Sequence, residues 1–232
     1  MVDPMTGALS FLDRVLAVPG VEASFIPRIP GIPLTDDKWS ALRDLEPAHR
    51  EAVGRLGFGW EDLWRAEQVH GDAVALVPME GVENRVVDET DGLLTGGRKG
   101  VLLGIYVADC AAVYLCDRRT GALALVHSGM KGTERAIVVR ALEQMAAEYG
   151  SQAGDIEAAI SPCIRPPRYE VDFASRIAEQ LRGAGVPSEQ VVMSGVCTGE
   201  NVKEFYSYRV ERGKTGRMLA LLGRRVENEG GS

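Results

Sequence analysis

Two long runs without a polar face stand out in the middle of the chain. "VLLGIYVADCAAVYLCD" (101–117) is apolar on both alternating faces, which predicts one strand buried on both sides rather than half exposed. "GALALVHSG" (121–129) follows the turn-forming "DRRTG" and is its expected hairpin partner. "AVALVPM" (73–79) and "IEAAISPCI" (156–164) predict two further strands. Helical spacing of apolar residues marks three other segments. "DKWSALRDLEPAHREAVGRLG" is the first, with Pro47 as an interruption or a new helix start. "TERAIVVRALEQMAAEYG" is the second, with Thr133 as N-cap and Gly150 as stop. "FASRIAEQLRGAG" is the third and ends in glycine. "FIPRIPGIPLTDD" (25–37) predicts a loop, because repeated proline removes backbone donors. "FYSYRVERGKTGRMLALLG" combines an aromatic-polar alternation, a turn and an apolar run, and "ENEGGS" (227–232) reads as a frayed end. With no repeat and no linker, the pattern predicts one α/β (mixed α+β) domain over 1–232 with antiparallel pairing at its centre.

Composition narrows the function classes. The chain of 232 residues is 45% hydrophobic and 25% charged, enough apolar residue for one sizeable core. A formal net charge of -7 argues against nucleic acid as a partner, since backbone contacts need a basic face; a local basic pocket for a small anion remains compatible with it. No apolar run reaches the length of a membrane span, so no membrane partner is expected. "MVDPMTGALSFLDRVLAVPG" lacks the basic start and long apolar core of a signal peptide. Cys110, Cys116, Cys163 and Cys197 show neither a disulfide framework nor CxxC spacing, so reduced thiols and a cytoplasmic location are expected.

Chemistry concentrates at few positions. Of three histidines, His49 lies in a polar helical stretch and reads as a surface residue. His70 precedes Gly-Asp and the strand at 73–79, His127 ends an apolar strand before "SGMKG", and Cys110 follows Asp109 inside the longest apolar run. Two His and one Cys form an open catalytic zinc site when water takes the fourth position, and such an ion lowers the pKa of its water to ~7. A His at a strand end and a Cys in an apolar strand also serve as structural residues, so residue type alone leaves both readings open. The turn "SGMKGT" before a helix offers free N–H groups, a positive dipole end and Lys131 to an anion; an ordinary strand-to-helix turn looks the same.

Six blocks in order, "QVHGDAV", "TDGLLT", "VADCAAVYLCD", "LVHSGMKGT", "SPCIRPPRYEVD" and "FYSYRVERGKTGR", resemble the signature blocks of the bacterial laccase-domain family from about Gln68 to Arg217. Its members have been called polyphenol oxidases, purine nucleoside phosphorylases and peptidoglycan-editing factors. The resemblance implies a β-sandwich-like centre flanked by helices, and a metal site on His70, Cys110 and His127. It places an acid at Asp109, which with Cys110 and His127 makes the expected catalytic set. Tyr169 and Arg209 fall on two further family positions. The implied activity is zinc-dependent phosphorolysis of adenosine, inosine and methylthioadenosine, with adenosine deamination beside it. The implied partners are a nucleoside and phosphate, on a monomer or homodimer.

The sequence departs from the family pattern in two places. "HAGWRG" is here "HSGMKG", which brings Met130 and Lys131, and Lys lacks the planar fork of Arg. The usual "TTRxGG" loop is here "IPRIPGIP", which keeps Arg28. Arg28 and Lys131 are the expected phosphate-binding cations. Three alternatives stand beside the zinc reading. Copper-dependent phenol oxidation would use the same His₂Cys set, but three histidines are too few for a trinuclear cluster. The others are a metal-free Cys110–His127 hydrolase acting on peptidoglycan precursors and a non-catalytic paralogue.

Overall fold

The computed structural model describes residues 10–225; the frayed end expected at 227–232 and residues 1–9 lie outside them. Eleven strands form among the described residues: β1 (Val21–Ile26), β2 (Leu63–Ala66), β3 (Val74–Leu76), β4 (Val86–Val87), β5 (Gly92–Thr95), β6 (Val101–Val107), β7 (Ala111–Asp117), β8 (Leu123–Ser128), β9 (Ile156–Ile160), β10 (Val191–Met193) and β11 (Met218–Arg224). They make two mixed sheets, ordered β1-β11-β6-β2-β4 and β10-β9-β7-β8-β5-β3. The helices are α1 (Asp13–Leu16), α2 (Lys38–Arg55), α3 (Met130–Glu134), α4 (Ile137–Tyr149) and α5 (Phe173–Gly183).

Strand alternation explains why the central runs are apolar on both faces. Leu103, Ile105 and Val107 of β6 pack with Ala112, Tyr114 and Cys116 of β7 and Ala220 and Leu222 of β11, filling the space between the sheets. The opposite residues of β7 and β8, among them Val113, Leu115, Ala124 and Val126, meet Ile137, Ala141 and Met145 of α4 and Ile177 and Leu181 of α5. On the other sheet Leu102, Leu219 and Leu221 meet Val53 of α2. Each sheet is therefore covered on both sides, and a continuous hydrophobic strand is what such a layer requires. The expected mixed α+β fold with sandwich-like sheets flanked by helices is the one observed.

Several local expectations need correction. The run 101–117 is not one strand: Asp109 adopts φ +80, and the chain crosses from β6 in one sheet to β7 in the other. The hairpin with 121–129 is real, but only β7 takes part in it. The strand at 156–164 stops at Ile160, and Cys163 makes an isolated bridge to Cys197. Strand β1 runs to Ile26, so the Pro-rich loop begins at residue 27, two later than expected. Pro47 neither starts nor breaks α2, which is continuous over 18 residues. Thr133 is not an N-cap. Gly129 caps α3, the Thr133 hydroxyl donates back to Gly129 O at 2.7 Å, and Ala136 at φ +55 breaks the helix before α4 begins.

His49 is buried, not superficial, with 0% of its surface exposed. The buried residues of α2 are Ala41, Leu45, His49, Ala52 and Val53, so the ring occupies the apolar stripe at helical spacing. Neither ring nitrogen has a hydrogen-bond partner among the described residues, and the ring lies 5.7 Å from that of Tyr106. Burial lowers its pKa from 6.5 to about 4. The unfolded chain therefore takes up a proton as the pH falls through about 6.5 while the folded one does not. Stability contributed by neutral His49 is complete above that pH, falls between about 6.5 and 4, and changes no further below. The expected loss is about 2 kcal/mol by pH 5. Urea titrations of wild type and His49→Gln at pH 7 and pH 5 check this. The wild type should lose more stability than the variant, and parallel losses would refute the assignment.

Candidate metal centre

The topology brings the ligands together. In the first sheet β6, β2 and β4 are parallel neighbours, and each leaves its end to enter the second sheet. The β2–β3 crossing carries His70, the β4–β5 crossing carries Asp91, and the β6–β7 crossing carries Cys110. Strand β8 runs antiparallel to both β5 and β7, so its last residues arrive where those strands begin. His127 is thereby placed beside Asp91 and Cys110, and its backbone N–H donates to Asp91 O at 2.7 Å.

The donor atoms of His70, Cys110 and His127 all lie within 4.8 Å of one another, from an exposed, a partly buried and a buried residue respectively. The two imidazole rings meet edge to face at 4.9 Å. Gly129 makes room for the thiol: a Cβ there would lie 2.4 Å from Cys110 Sγ. Two nitrogens and one thiolate at this spacing fit a single zinc or copper ion with a position left open.

Asp91 builds the frame around this set, and the residue-by-residue reading missed it. Its buried carboxylate accepts the Gly71 N–H at 2.6 Å, the His70 N–H at 3.0 Å and the Val69 N–H at 3.2 Å. It also accepts His127 Nδ1–H at 2.8 Å, which leaves Nε2 free to face a metal. The signal was present, since Asp91 is the acid of "TDGLLT". Gln68, likewise missed, stitches the His70 loop to the end of β6 through both the N–H (2.8 Å) and the carbonyl (2.5 Å) of Tyr106. Gln68 and His70 have φ +64 and +61, and Asp109 is left-handed as well. Such backbone costs on the order of 1–3 kcal/mol per residue and persists where surrounding contacts over-determine it.

The electrostatics of the group are self-consistent. Burial pushes the Cys110 thiol up, but the charge of His127 and hydrogen bonds from His127 and His70 outweigh it and bring the pKa from 9.0 to about 6. Burial lowers His127, and the Cys110 thiolate and the Asp91 hydrogen bond more than reverse that, to about 9. Asp91 is raised by burial and lowered by more through its bonds to His127, Gly71 and His70. Thiolate is the form that ligates metal. By contrast, burial raises Cys116 and Cys163, which stay as thiols in the core.

A cavity of about 950 Å³ opens over this group. It is lined by His70, Cys110 and His127 and by four other expected residues, Asp109, Lys131, Tyr169 and Arg209. Asp109 accepts from Thr198 Oγ1 and from the Arg209 N–H, each at 2.7 Å, while its own carbonyl accepts the Ile164 N–H at 2.8 Å. Both carboxylate oxygens are thus committed to holding loops. Tyr169 stacks edge-on against Phe173 and reaches Met130 Sδ, the residue that stands where the family pattern has Trp. Arg209 pairs with Glu170 at 2.8 Å and lies over the Tyr169 ring.

Arg28 is not among the cavity-lining residues. Its guanidinium pairs with Glu211, donates to Phe205 O and stacks on Tyr206. The anion site expected at the start of a long helix also changes character, because α3 has five residues and is separated from α4 by the left-handed Ala136. Lys131 faces the cavity as an exposed charge without that macrodipole. Lys38 and Arg217 line the same cavity and were not anticipated.

Two stacked mixed sheets with a His-Cys-His group at one end, able to bind a metal, define the class of protein. The chain matches the family described as "Multi-copper polyphenol oxidoreductase laccase" over residues 41–177 and 168–225, and it belongs to that family. It is similar to a purine nucleoside phosphorylase of Deinococcus radiodurans, with 34% identity over 81% of this chain and 80% of that protein. The purine nucleoside phosphorylase YlmD of Geobacillus stearothermophilus is 30% identical over 85% of this chain and 83% of that protein. The crystal structure of YlmD from Geobacillus stearothermophilus covers 90% of this chain and 93% of its own, with a TM-score of 0.80 and 26% identity. The hypothetical protein YfiH of Bacillus licheniformis shares the fold, with a TM-score of 0.77, 24% identity, and 88% and 93% covered. No helix among the described residues is long and apolar enough to cross a membrane.

Proposed function

We propose that this chain is a zinc-dependent purine nucleoside phosphorylase. The observation that carries the reading is the His70–Cys110–His127 group on the floor of a basic cavity with an aromatic wall. Relatives named purine nucleoside phosphorylase support the substrate class. His70, Cys110 and His127 would hold a zinc ion, which when bound would supply Lewis-acid polarisation. Tyr169 and Phe173 offer an aromatic face to the base. The exposed cations Lys131 and Arg212 around the cavity draw an anion toward it. In the reaction an oxygen of hydrogen phosphate bonds to ribose C1′ as the glycosidic C–N bond breaks, and the base leaves with the proton that the phosphate gives up. Asp109 positions the Thr198 and Arg209 loops, and orientation of the bound partners is its contribution.

Adenosine deamination is a second reading, favoured by Glu134 in the cavity wall, since zinc deaminases use a glutamate outside the ligand set. A laccase reading has less support. With His49 buried in the α2 interface, two histidines remain at the site, too few for a trinuclear copper cluster.

Chromatography of adenosine and inosine after incubation with zinc-loaded protein, with and without phosphate, tests the reading. Free base should appear only with phosphate and be absent with His127→Ala. Inosine formed from adenosine without phosphate would favour deamination instead. Release that survives strong chelation would favour a metal-free Cys110–His127 mechanism, and no product in any lane would leave a binding protein.

A further inference from the structure

We propose that Lys38 and Arg217 together form an oxyanion seat in the cavity wall, and that its occupant is free inorganic phosphate. The identity of the occupant rests on the phosphorolysis reading above; the seat itself rests on what the two side chains touch. Both are partly buried and both line the cavity. Neither has a carboxylate partner among the described residues. Lys38 Nζ donates to Glu67 O at 2.8 Å, at the root of the His70 loop, and lies over the Trp39 ring. The Arg217 guanidinium donates to the carbonyls of Gly216 at 2.9 Å and Thr215 at 3.5 Å. Other arginines of this region are neutralised: Arg28 by Glu211, Arg165 by Asp172 and Arg209 by Glu170.

Two partly desolvated cations that repel each other gain from an anion that bridges them. Burial lowers the pKa of Lys38 and the charge of Arg217 lowers it further, against the opposing pull of Glu67 and Asp91. Burial lowers Arg217 too, against the opposing pull of Tyr208, Cys110 and Asp109. An exposed charge such as Lys131 is satisfied by water, whereas these two are not fully so. A phosphate dianion would relieve the repulsion and accept from both the guanidinium and the ammonium.

The seat is also held by its backbone. The Thr215 N–H donates to Thr35 O at 3.0 Å, which ties the segment before Arg217 to the segment before Lys38. Asp37 caps α2 through the Ser40 N–H at 2.8 Å and fixes Lys38 at the first helical position. Gly216 lies against the Tyr206 ring, where a Cβ would come within 2.5 Å. Residues on two distant stretches of sequence are in this way presented to one wall.

The test is calorimetric titration of inorganic phosphate, and separately of inosine, into zinc-loaded wild type, Lys38→Gln, Arg217→Gln and Arg217→Lys, with melting temperatures alongside. Each Gln variant should weaken phosphate binding about tenfold or more, with Arg217→Lys recovering part of the loss, as charge-assisted bonds require. Inosine affinity should stay within about twofold, since the nucleoside carries no charge for the pair to meet. Unchanged phosphate affinity in either folded Gln variant overturns the seat, as does a wild type that binds no phosphate. Adenosine monophosphate titrated in parallel separates the sources: losses confined to the nucleotide overturn the assignment to free phosphate. If phosphate binding depends on the pair but no base is released, the seat stands and the phosphorylase reading falls. If phosphate-dependent release occurs and both Gln variants keep the wild-type KM for phosphate, the reading stands and the seat falls.

Discussion

Cys110→Ala should lose its metal while keeping the fold. The thiol sits just before β7, beside Gly129 rather than within the packed layers, so truncation removes little core contact. What it removes is the one thiolate of a three-donor set, and two imidazoles remain. The loss of affinity should exceed the ~10–100-fold that follows from removing an outer hydrogen-bond partner of a metal ligand. Elemental analysis after dialysis should give about one zinc per chain for wild type and a small fraction of that for the variant, as expected for an ion held by so few protein donors. His127→Ala should behave the same way, with some loss of stability because Asp91 would lose a partner in a fully buried position. Wild-type metal content in both variants, with unchanged circular dichroism, would mean that these side chains do not hold the ion.

The layers of the fold could be read from hydrophobic pattern because burial acts on composition directly. A strand covered on both faces has to be apolar along its body, and β6, β7 up to Cys116 and β8 up to Val126 are. The pattern does not record where such a run changes sheet. Between Val107 and Ala111 the sequence stays almost as apolar as the strands beside it, and the crossing depends on the left-handed backbone of Asp109, a residue that tolerates that conformation better than most. The three candidate donors could be read from residue type and motif order, since few side chains bind a transition metal and this chain has only three histidines. The supporting residues were harder to see. Arg28 and Arg217 are chemically identical in sequence, and only the position of Glu211 decides which is neutralised and which faces the cavity. His49 was misread because its neighbours are polar, although its spacing from Ala41 and Leu45 already placed it on the buried stripe.

The largest effect from a residue outside the ligand set is expected at Asp91. One buried carboxylate accepts three consecutive backbone N–H groups of the His70 loop and the Nδ1–H of His127, so it fixes two of the three ligands at once. Asp91→Ala removes an acceptor of 0% exposure; the His127 donor it leaves behind is buried and the three loop N–H groups are part-buried, and each donor left unsatisfied in the interior costs about 1–3 kcal/mol. Stability should therefore fall by about 1–3 kcal/mol, together with metal binding. Asp91→Asn separates the two roles. Its amide oxygen can still accept from the loop, but its NH₂ group faces one set of the donors that the carboxylate had joined, and it brings no negative charge to hold His127. Zinc affinity should drop ~10–100-fold while stability falls less than in the alanine variant. Competition for zinc against a chromophoric chelator, read beside thermal melting, gives both quantities. An Asn variant that binds zinc as tightly as wild type would show that the orientation of His127 is set by the packing of β8 alone, and that Asp91 serves only to close the loop.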